Sequence, residues 1–414
     1  MYNRIVDTTW DFRTANTKEY THCYHTYPAM MIPQVARKLI TDYAPKGKLE
    51  LIFDPYMGSG TSLVEASINN INSIGTDLNP LARLISRAKT THYDIDIITH
   101  ILSEIQLQIG FYSETKVINR NFDRISNYTY WYTEDSLLKL SYLAQLINEI
   151  DLSIYQEFFN ICISETVREV SFTRNGEFKR YRMSEERIAK FKPDVFRIFE
   201  LKVIRNLKGL AEYNQIKNEC YSLICDFNST KEIPSELIAK ESVDMVITSP
   251  PYGDSHTTVA YGQFSRWANE WFGYENAQKL DSILMGGQKQ SSKLFGDCVI
   301  SSELNEIKEK DEKRYTEVIS FLNDYYQSIC NVASTIRRGG RVCYVVGNRR
   351  VKETQINLDY FTAEMFERFG FKHDITIVRA IPNKRMPSKN SPTNKIGEKV
   401  STMTNEYIVI LTKQ

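Results

Sequence analysis

The chain has 414 residues, with 52 Lys and Arg against 51 Asp and Glu, a net charge of +1, and 42% hydrophobic residues. It is too long for one minimal domain, and its charge balance excludes a disordered polyelectrolyte and a uniformly basic nucleic-acid coat. Seven cysteines, at 23, 162, 220, 225, 298, 330 and 343, lack CxxC spacing, which predicts reduced buried thiols with neither disulfides nor a metal site.

In chain order, MYNRIVDTTWDFRTANTKEY is polar, and no later apolar run nears the ~18 residues needed to span a bilayer. A soluble cytoplasmic protein with no membrane partner is expected. Residues 34–43 read as a helix. Residues 49–54 (LELIFD) read as a buried strand, followed by Gly-Ser-Gly and a helix over 61–69. Residues 73–77 (SIGTD) read as a second strand, and Pro80 opens another helix. That alternation predicts a parallel, helix-covered sheet. Beyond about residue 95 helical periodicity takes over, at 137–150 and 154–170. Strand signals return at 221–226, 243–248, 340–347, 374–379 and 406–411. The simplest organisation is one α/β domain interrupted by a mostly helical insertion: residues 1–95, an insertion at 96–217, and residues 218–414.

The segment 53–61 (FDPYMGSGT) joins the first strand to its helix. Glycines 58 and 60 permit a tight turn and close approach to a ligand, and the following helix offers free N–H groups to an anionic group. Asp77 ends the next strand, where a carboxylate suits ribose hydroxyls. Two glycines and a capping Asp also fit an ordinary strand-to-helix turn. Neither the dinucleotide glycine pattern nor the ATP-type lysine is present.

Residues 244–252 (DMVITSPPY) are the most informative stretch. A buried strand ends in Ser249, two prolines and Tyr252. Two successive prolines fix φ and remove two donors, leaving a rigid acceptor corner beside an aromatic ring. Such a corner can hold a planar base by its amino group, with the Ser249 hydroxyl and Pro250 carbonyl accepting and Tyr252 stacking. Ser-Pro-Pro also commonly ends a strand without any chemistry. His256, just beyond, reads as a loop or core histidine.

The segment 168–208 carries twelve Lys and Arg against six Asp and Glu, a local net charge of +6. Its centre, SFTRNGEFKRYRM, interleaves aromatics and cations around an Asn-Gly turn. This predicts a hairpin presenting Arg174, Lys179, Arg180 and Arg182 to phosphates, with a solvated charged face as the plain alternative. A second basic stretch, 379–390, contains Lys384 and Arg385 and reads as a loop suited to touching nucleic acid, with a simple surface loop as the plain alternative. The polar stretch 275–300 is a further candidate recognition region.

DPYMGSGT resembles the DPFxGSGT cofactor motif of amino-methylating DNA methyltransferases, with Tyr56 where Phe is usual. GTDLNPLA and HTYPAMMIP (25–33) resemble further elements of that family, and TSPPY closely resembles its N4-cytosine branch of restriction-modification type. The likeness covers some 280 residues of catalytic framework, but in the insertion only 164–182. It implies a Rossmann-like class I methyltransferase sheet, mostly parallel with a C-terminal β-hairpin, and S-adenosylmethionine as cofactor. By resemblance the cofactor contacts are Tyr27, Pro28, Asp54, Pro55, Tyr56, Gly58, Ser59, Gly60, Thr61, Asp77 and Asp226, and the catalytic corner is Ser249, Pro250, Pro251 and Tyr252. It implies double-stranded DNA as partner, a cognate restriction endonuclease acting separately, and a monomer, with a dimer as the alternative. N6-adenine enzymes usually carry Asp or Asn at the Ser249 position. C5-cytosine methylation needs a Pro-Cys nucleophile, and no cysteine here follows a proline. An RNA amino-methyltransferase, a protein-glutamine methyltransferase, a non-catalytic DNA-binding subunit and a Rossmann oxidoreductase fit the motifs less well.

Overall fold

The computed structural model describes residues 2–118, 121–176, 178–216, 219–254, 259–290, 292–381, 389–390, 400–401 and 404–414. An eight-stranded sheet runs through it: β1 (Arg4–Val6), β2 (Leu51–Asp54), β3 (Asn72–Thr76), β4 (Ser222–Cys225), β5 (Val243–Thr248), β6 (Ile336–Val346), β7 (Phe371–Ala380) and β8 (Asn405–Lys413). Their spatial order is β1-β7-β8-β6-β5-β2-β3-β4. All neighbouring pairs are parallel except those of β8, which is antiparallel to both β6 and β7. This is the Rossmann-like, mostly parallel sheet with a C-terminal antiparallel pair that the resemblance implies. The short strand β1 escaped the sequence because three residues carry no readable period.

The sheet is buried on both faces, and alternation sorts its residues. Ile52, Met245, Ile247, Cys343, Val345, Ile408 and Ile410 face one layer, with helix α1 (Pro33–Tyr43). Phe53, Val246, Val342, Tyr344, Val346, Val409 and Leu411 face the other. Against these pack the long helix Glu312–Thr335 and the helix Leu358–Glu367. Each fully buried Ile or Phe contributes roughly 1.5–3 kcal/mol.

Helix α2 (Thr61–Ile68) follows β2, and helix α3 (Pro80–Thr90) follows β3. Between α3 and β4 come four long helices, Ile95–Gly110, Glu134–Asn148, Ser153–Glu169 and Val195–Tyr213. Their apolar faces form one cluster with α3 and with the helix Tyr261–Trp271 that follows β5. The helical segment therefore shares its core with the catalytic framework.

All seven cysteines are free. Among the described residues, no helix is long and apolar enough to cross a membrane, and no cluster of His, Cys, Asp or Glu could hold a metal ion.

Candidate active site

The strand order reverses between β2 and β5, and ligands of open α/β sheets bind beyond the carboxyl ends at such a switch point. Here β2 ends in Asp54 and β5 in Thr248, and the register pairs Ile52 with Met245 and Phe53 with Val246. The Thr248 hydroxyl donates to Asp54 Oδ1 at 2.6 Å. Asp54 also accepts from the Ser62 hydroxyl and from Tyr56 N at 3.0 Å. Burial pushes its carboxyl up to about 6 against these hydrogen bonds. Asp54 thereby ties the glycine turn, α2 and the SPPY corner into one unit.

A cleft opens over this junction, a concave place of the kind in which small molecules bind. Its lining brings together Tyr27, Pro28, Asp54, Pro55, Tyr56, Gly58, Ser59, Thr61, Asp77, Ser249 and Pro251. The two motifs, almost 200 residues apart in sequence, form one cavity. Tyr261, Asn79, Phe227 and Met285 also line it. Sequence reasoning passed over these because Tyr, Asn, Phe and Met at such spacings read as ordinary helix or core.

Gly58 (φ +49°) and Gly60 (φ +69°) occupy left-handed backbone. A Cβ on Gly60 would lie 2.8 Å from Ser86 Oγ, so this glycine is needed for space as well as for conformation. The turn is held from behind: Ser86 Oγ donates to Gly58 O at 3.0 Å, and the buried Lys89 donates to Ser59 O at 2.7 Å. Tyr56 spends its extra hydroxyl on Ser328 in the long C-terminal helix, which accommodates the departure from Phe.

Asp77 accepts from Gly58 N at 3.0 Å and from Asn79 N at 2.8 Å. Burial outweighs these bonds and pushes its carboxyl up to about 6. Two backbone donors leave a carboxylate with further acceptor capacity, as a ribose diol requires. Tyr27 accepts a hydrogen bond from Asn79 Nδ2 at 2.9 Å and stacks on Tyr261, with ring centroids 6.0 Å apart. Aromatic faces beside acidic groups suit a sulfonium cation. The cavity's carboxylate and its aromatic wall therefore fit S-adenosylmethionine.

Ser249 Oγ lies 3.0 Å from Val345 O and 3.2 Å from the Tyr252 hydroxyl. Pro250 is buried and Tyr252 half-buried, and the cleft lining includes neither of them. Asp226 does not join the cleft. Alternation along β4 buries Cys225 and leaves Asp226 exposed, and the next residues, Phe227, Asn228, Ser229 and Thr230, reach the lining instead.

The basic segment does turn back on itself, with Arg174 N donating to Tyr181 O and Met183 N to Phe172 O, both at 2.8 Å. Its cations divide. Arg174 is exposed and Lys179 half-exposed. Arg180 lies on the Trp267 ring, 4.7 Å from its centroid, and close to Trp131. Arg182 lies 4.2 Å from the centroid of Tyr130 and pairs with Glu185. The segment also docks on the helix after the catalytic corner, where Trp267 Nε1 donates to Thr173 Oγ1 at 3.0 Å. Lys384, Arg385 and His256 lie outside the described residues.

The chain belongs to the amino-methylating DNA methyltransferases of restriction-modification type. The family model described as a DNA methylase, of the N6/N4 type, matches residues 2–86. The type II methyltransferase M.MvaI of Kocuria varians is 40% identical over 424 residues, covering 97% of this chain and 92% of that protein. M.MjaII of Methanocaldococcus jannaschii is 24% identical, covering 94% of this chain and 83% of that protein. M.BsoBI of Geobacillus stearothermophilus is 22% identical, covering 90% and 84%. Membership makes site-specific DNA amino-methylation the activity class and implies a cofactor of the S-adenosylmethionine type.

Proposed function

We propose that this chain methylates N4 of a flipped-out cytosine in double-stranded DNA, with S-adenosylmethionine held over residues 56–61 and Asp77 on its ribose. The observation that carries the proposal is the single cleft shared by the glycine turn and by Ser249 and Pro251. S-adenosylmethionine supplies an electrophilic methyl group. Gly58, Ser59 and Thr61 shape the turn beneath it, and Tyr27 and Pro28 wall the methionine side. Ser249 Oγ and the Pro250 carbonyl accept the two amino hydrogens of the base, and the Tyr252 ring supports its plane. Aligning amino nitrogen and methyl group supplies mainly proximity, which can contribute roughly 7–11 kcal/mol. The amino proton leaves after transfer, so no general base is needed beforehand.

Ser249 in place of Asp or Asn favours cytosine over adenine, by the family resemblance of TSPPY. A thiol mechanism at C5 is unsupported: burial pushes Cys162 and Cys343 up to about 12, where a thiol stays protonated. The helical segment 96–217 is assigned to DNA recognition, with Arg174 and Lys179 on phosphates and Arg180 and Arg182 beside the bound strand. Lys384 and Arg385 are assigned to a second contact. A separate cognate endonuclease and a monomeric enzyme complete the proposal.

The test is mass spectrometry of nucleosides from unmethylated DNA incubated with the protein and S-adenosylmethionine. N4-methylcytosine is the expected product. N6-methyladenine would keep the mechanism and overturn the choice of base. Neither product, with cofactor binding intact, would overturn DNA as substrate.

A further inference from the structure

The catalytic corner continues into a chain of polar groups that no motif contains. The Tyr252 hydroxyl, 3.2 Å from Ser249 Oγ, donates to Glu406 Oε1 at 3.1 Å. The other oxygen of Glu406 is ion-paired with Arg379 Nη1. Arg379 is buried, and its Nε donates to Trp10 O at 2.7 Å. Glu406 and Arg379 are direct partners in the antiparallel register of β8 and β7. The backbone itself therefore fixes this pair behind the corner.

The geometry points to Glu406 as a positioning residue that sets the hydrogen-bond polarity of Ser249, so that the corner accepts an amino group and rejects a carbonyl. This rests on the base-binding role proposed for Ser249. An ionised carboxylate only accepts, so Tyr252 must give its hydrogen to Glu406. The Tyr252 oxygen is then free to accept from Ser249. The other neighbour of Ser249 Oγ is Val345 O at 3.0 Å, also an acceptor only. Every group at the inner end of this network accepts, so the Ser249 hydrogen is drawn inward and its lone pairs face the cleft. A base offering N–H donors is satisfied there. A base offering a carbonyl meets acceptor against acceptor and leaves a buried polar group unpaired, which disfavours its binding.

Arg379 makes this testable. In Glu406→Gln the guanidinium claims the amide oxygen, which leaves the amide N–H₂ toward Tyr252. Tyr252 must then accept from residue 406 and donate to Ser249, consuming a lone pair that the base would have used. Binding is measured on duplexes bearing the sequence that the wild-type protein methylates. The target base is present either intact or as its deaminated counterpart, uracil for cytosine or hypoxanthine for adenine. The preference for the amino base, taken relative to wild type, is expected to fall about ten-fold in Glu406→Gln. The kcat should drop with it while KM for S-adenosylmethionine stays constant. The double variant Glu406→Leu/Arg379→Met, which leaves the Tyr252 hydroxyl no acceptor but Ser249, should show the same loss and serves if Glu406→Gln does not fold, whereas Tyr252→Phe, in which Val345 O still holds the Ser249 hydrogen, should keep the wild-type preference. If Glu406→Gln, or the double variant where the single one does not fold, keeps the wild-type preference while the wild type methylates DNA, only the role of Glu406 is overturned. If the wild type transfers no methyl group to any DNA base, the proposed function falls, and this inference with it.

Discussion

The Thr248 hydroxyl donates to Asp54 at 2.6 Å, so the last residue of β5 and the last residue of β2 share a buried hydrogen bond beneath the cleft. Asp54 belongs to the glycine motif and Thr248 immediately precedes Ser249. The bond therefore sets the distance between cofactor turn and catalytic corner.

Thr248→Val tests that coupling. The variant keeps shape and removes the donor, leaving Asp54 with Ser62 and Tyr56 N alone. Asp54 already titrates at about 6 because burial outweighs its hydrogen bonds, and losing one raises it further. An acid whose folded pKa lies above its unfolded value contributes stability at low pH that is lost as pH rises through that interval. The expected cost is about 1–3 kcal/mol, larger at pH 7.5 than at pH 5. Urea unfolding at the two pH values measures it, and a cost independent of pH would show that Asp54 is not the group affected.

Gly60→Ala should weaken cofactor binding through two separable effects. The new Cβ would sit 2.8 Å from Ser86 Oγ, and φ of +69° disfavours any L side chain by roughly 1–2 kcal/mol. Adding Ser86→Ala removes the nearest atom and leaves the Cβ and Cα of residue 86 at 3.0 and 3.2 Å, together with the backbone strain. The double variant should therefore recover part of the lost S-adenosylmethionine affinity by calorimetry. Full recovery would mean that neither the backbone conformation nor the remaining contacts cost affinity, and no recovery that the Ser86 hydroxyl is not the obstacle.

Asp77 predicts a pH dependence of cofactor binding. Burial pushes its carboxyl up to about 6, and a carboxylate accepts ribose hydroxyls better than the neutral acid does. Affinity for S-adenosylmethionine should rise between pH 5 and 7 and level off above. Asp77→Asn should bind weakly with no inflection near 6, while Asp54→Asn should keep one. A flat wild-type profile would remove Asp77 from the ribose contact.

Much of this was legible in the sequence because it is local. Asp54, Gly58, Gly60 and Asp77 act through backbone turns and strand ends, which leave a pattern within a few residues. SPPY carries its rigidity in its own prolines. The remainder was hidden because it is made by strand pairing. Glu406 and Arg379 alternate with apolar neighbours like any residues of a strand, and only the antiparallel register sets them behind Tyr252. Lys89 looks like a solvated helix charge until α3 packs it beneath Ser59. Asp226 is exposed and outside the cleft lining, because a strand-end acid can point either way.

The same lesson divides the basic hairpin. A run of cations with interleaved aromatics reads as a phosphate-binding face, yet half of its charges rest on those aromatics. Arg180 covers Trp267 and Trp131, and Arg182 covers Tyr130 and pairs with Glu185. Arg174 is exposed, with no side-chain partner among the described residues, and Lys179 is half-exposed. Phosphate contacts release counterions, so each one lost makes the slope of log affinity against log salt shallower by about 0.9. Arg174→Ala and Lys179→Ala should each flatten that slope by about one contact and leave thermal stability unchanged. Arg180→Ala should instead lower the melting temperature, because a cation over a tryptophan contributes about 0.5–2 kcal/mol and its removal opens the packing between hairpin and helix. Its slope should change less than that of Arg174→Ala. DNA binding titrated across salt concentrations, paired with melting curves, separates the two roles. An unchanged slope in Arg174→Ala would take the hairpin tip out of the DNA interface, and a stable Arg180→Ala with a flattened slope would put Arg180 into it.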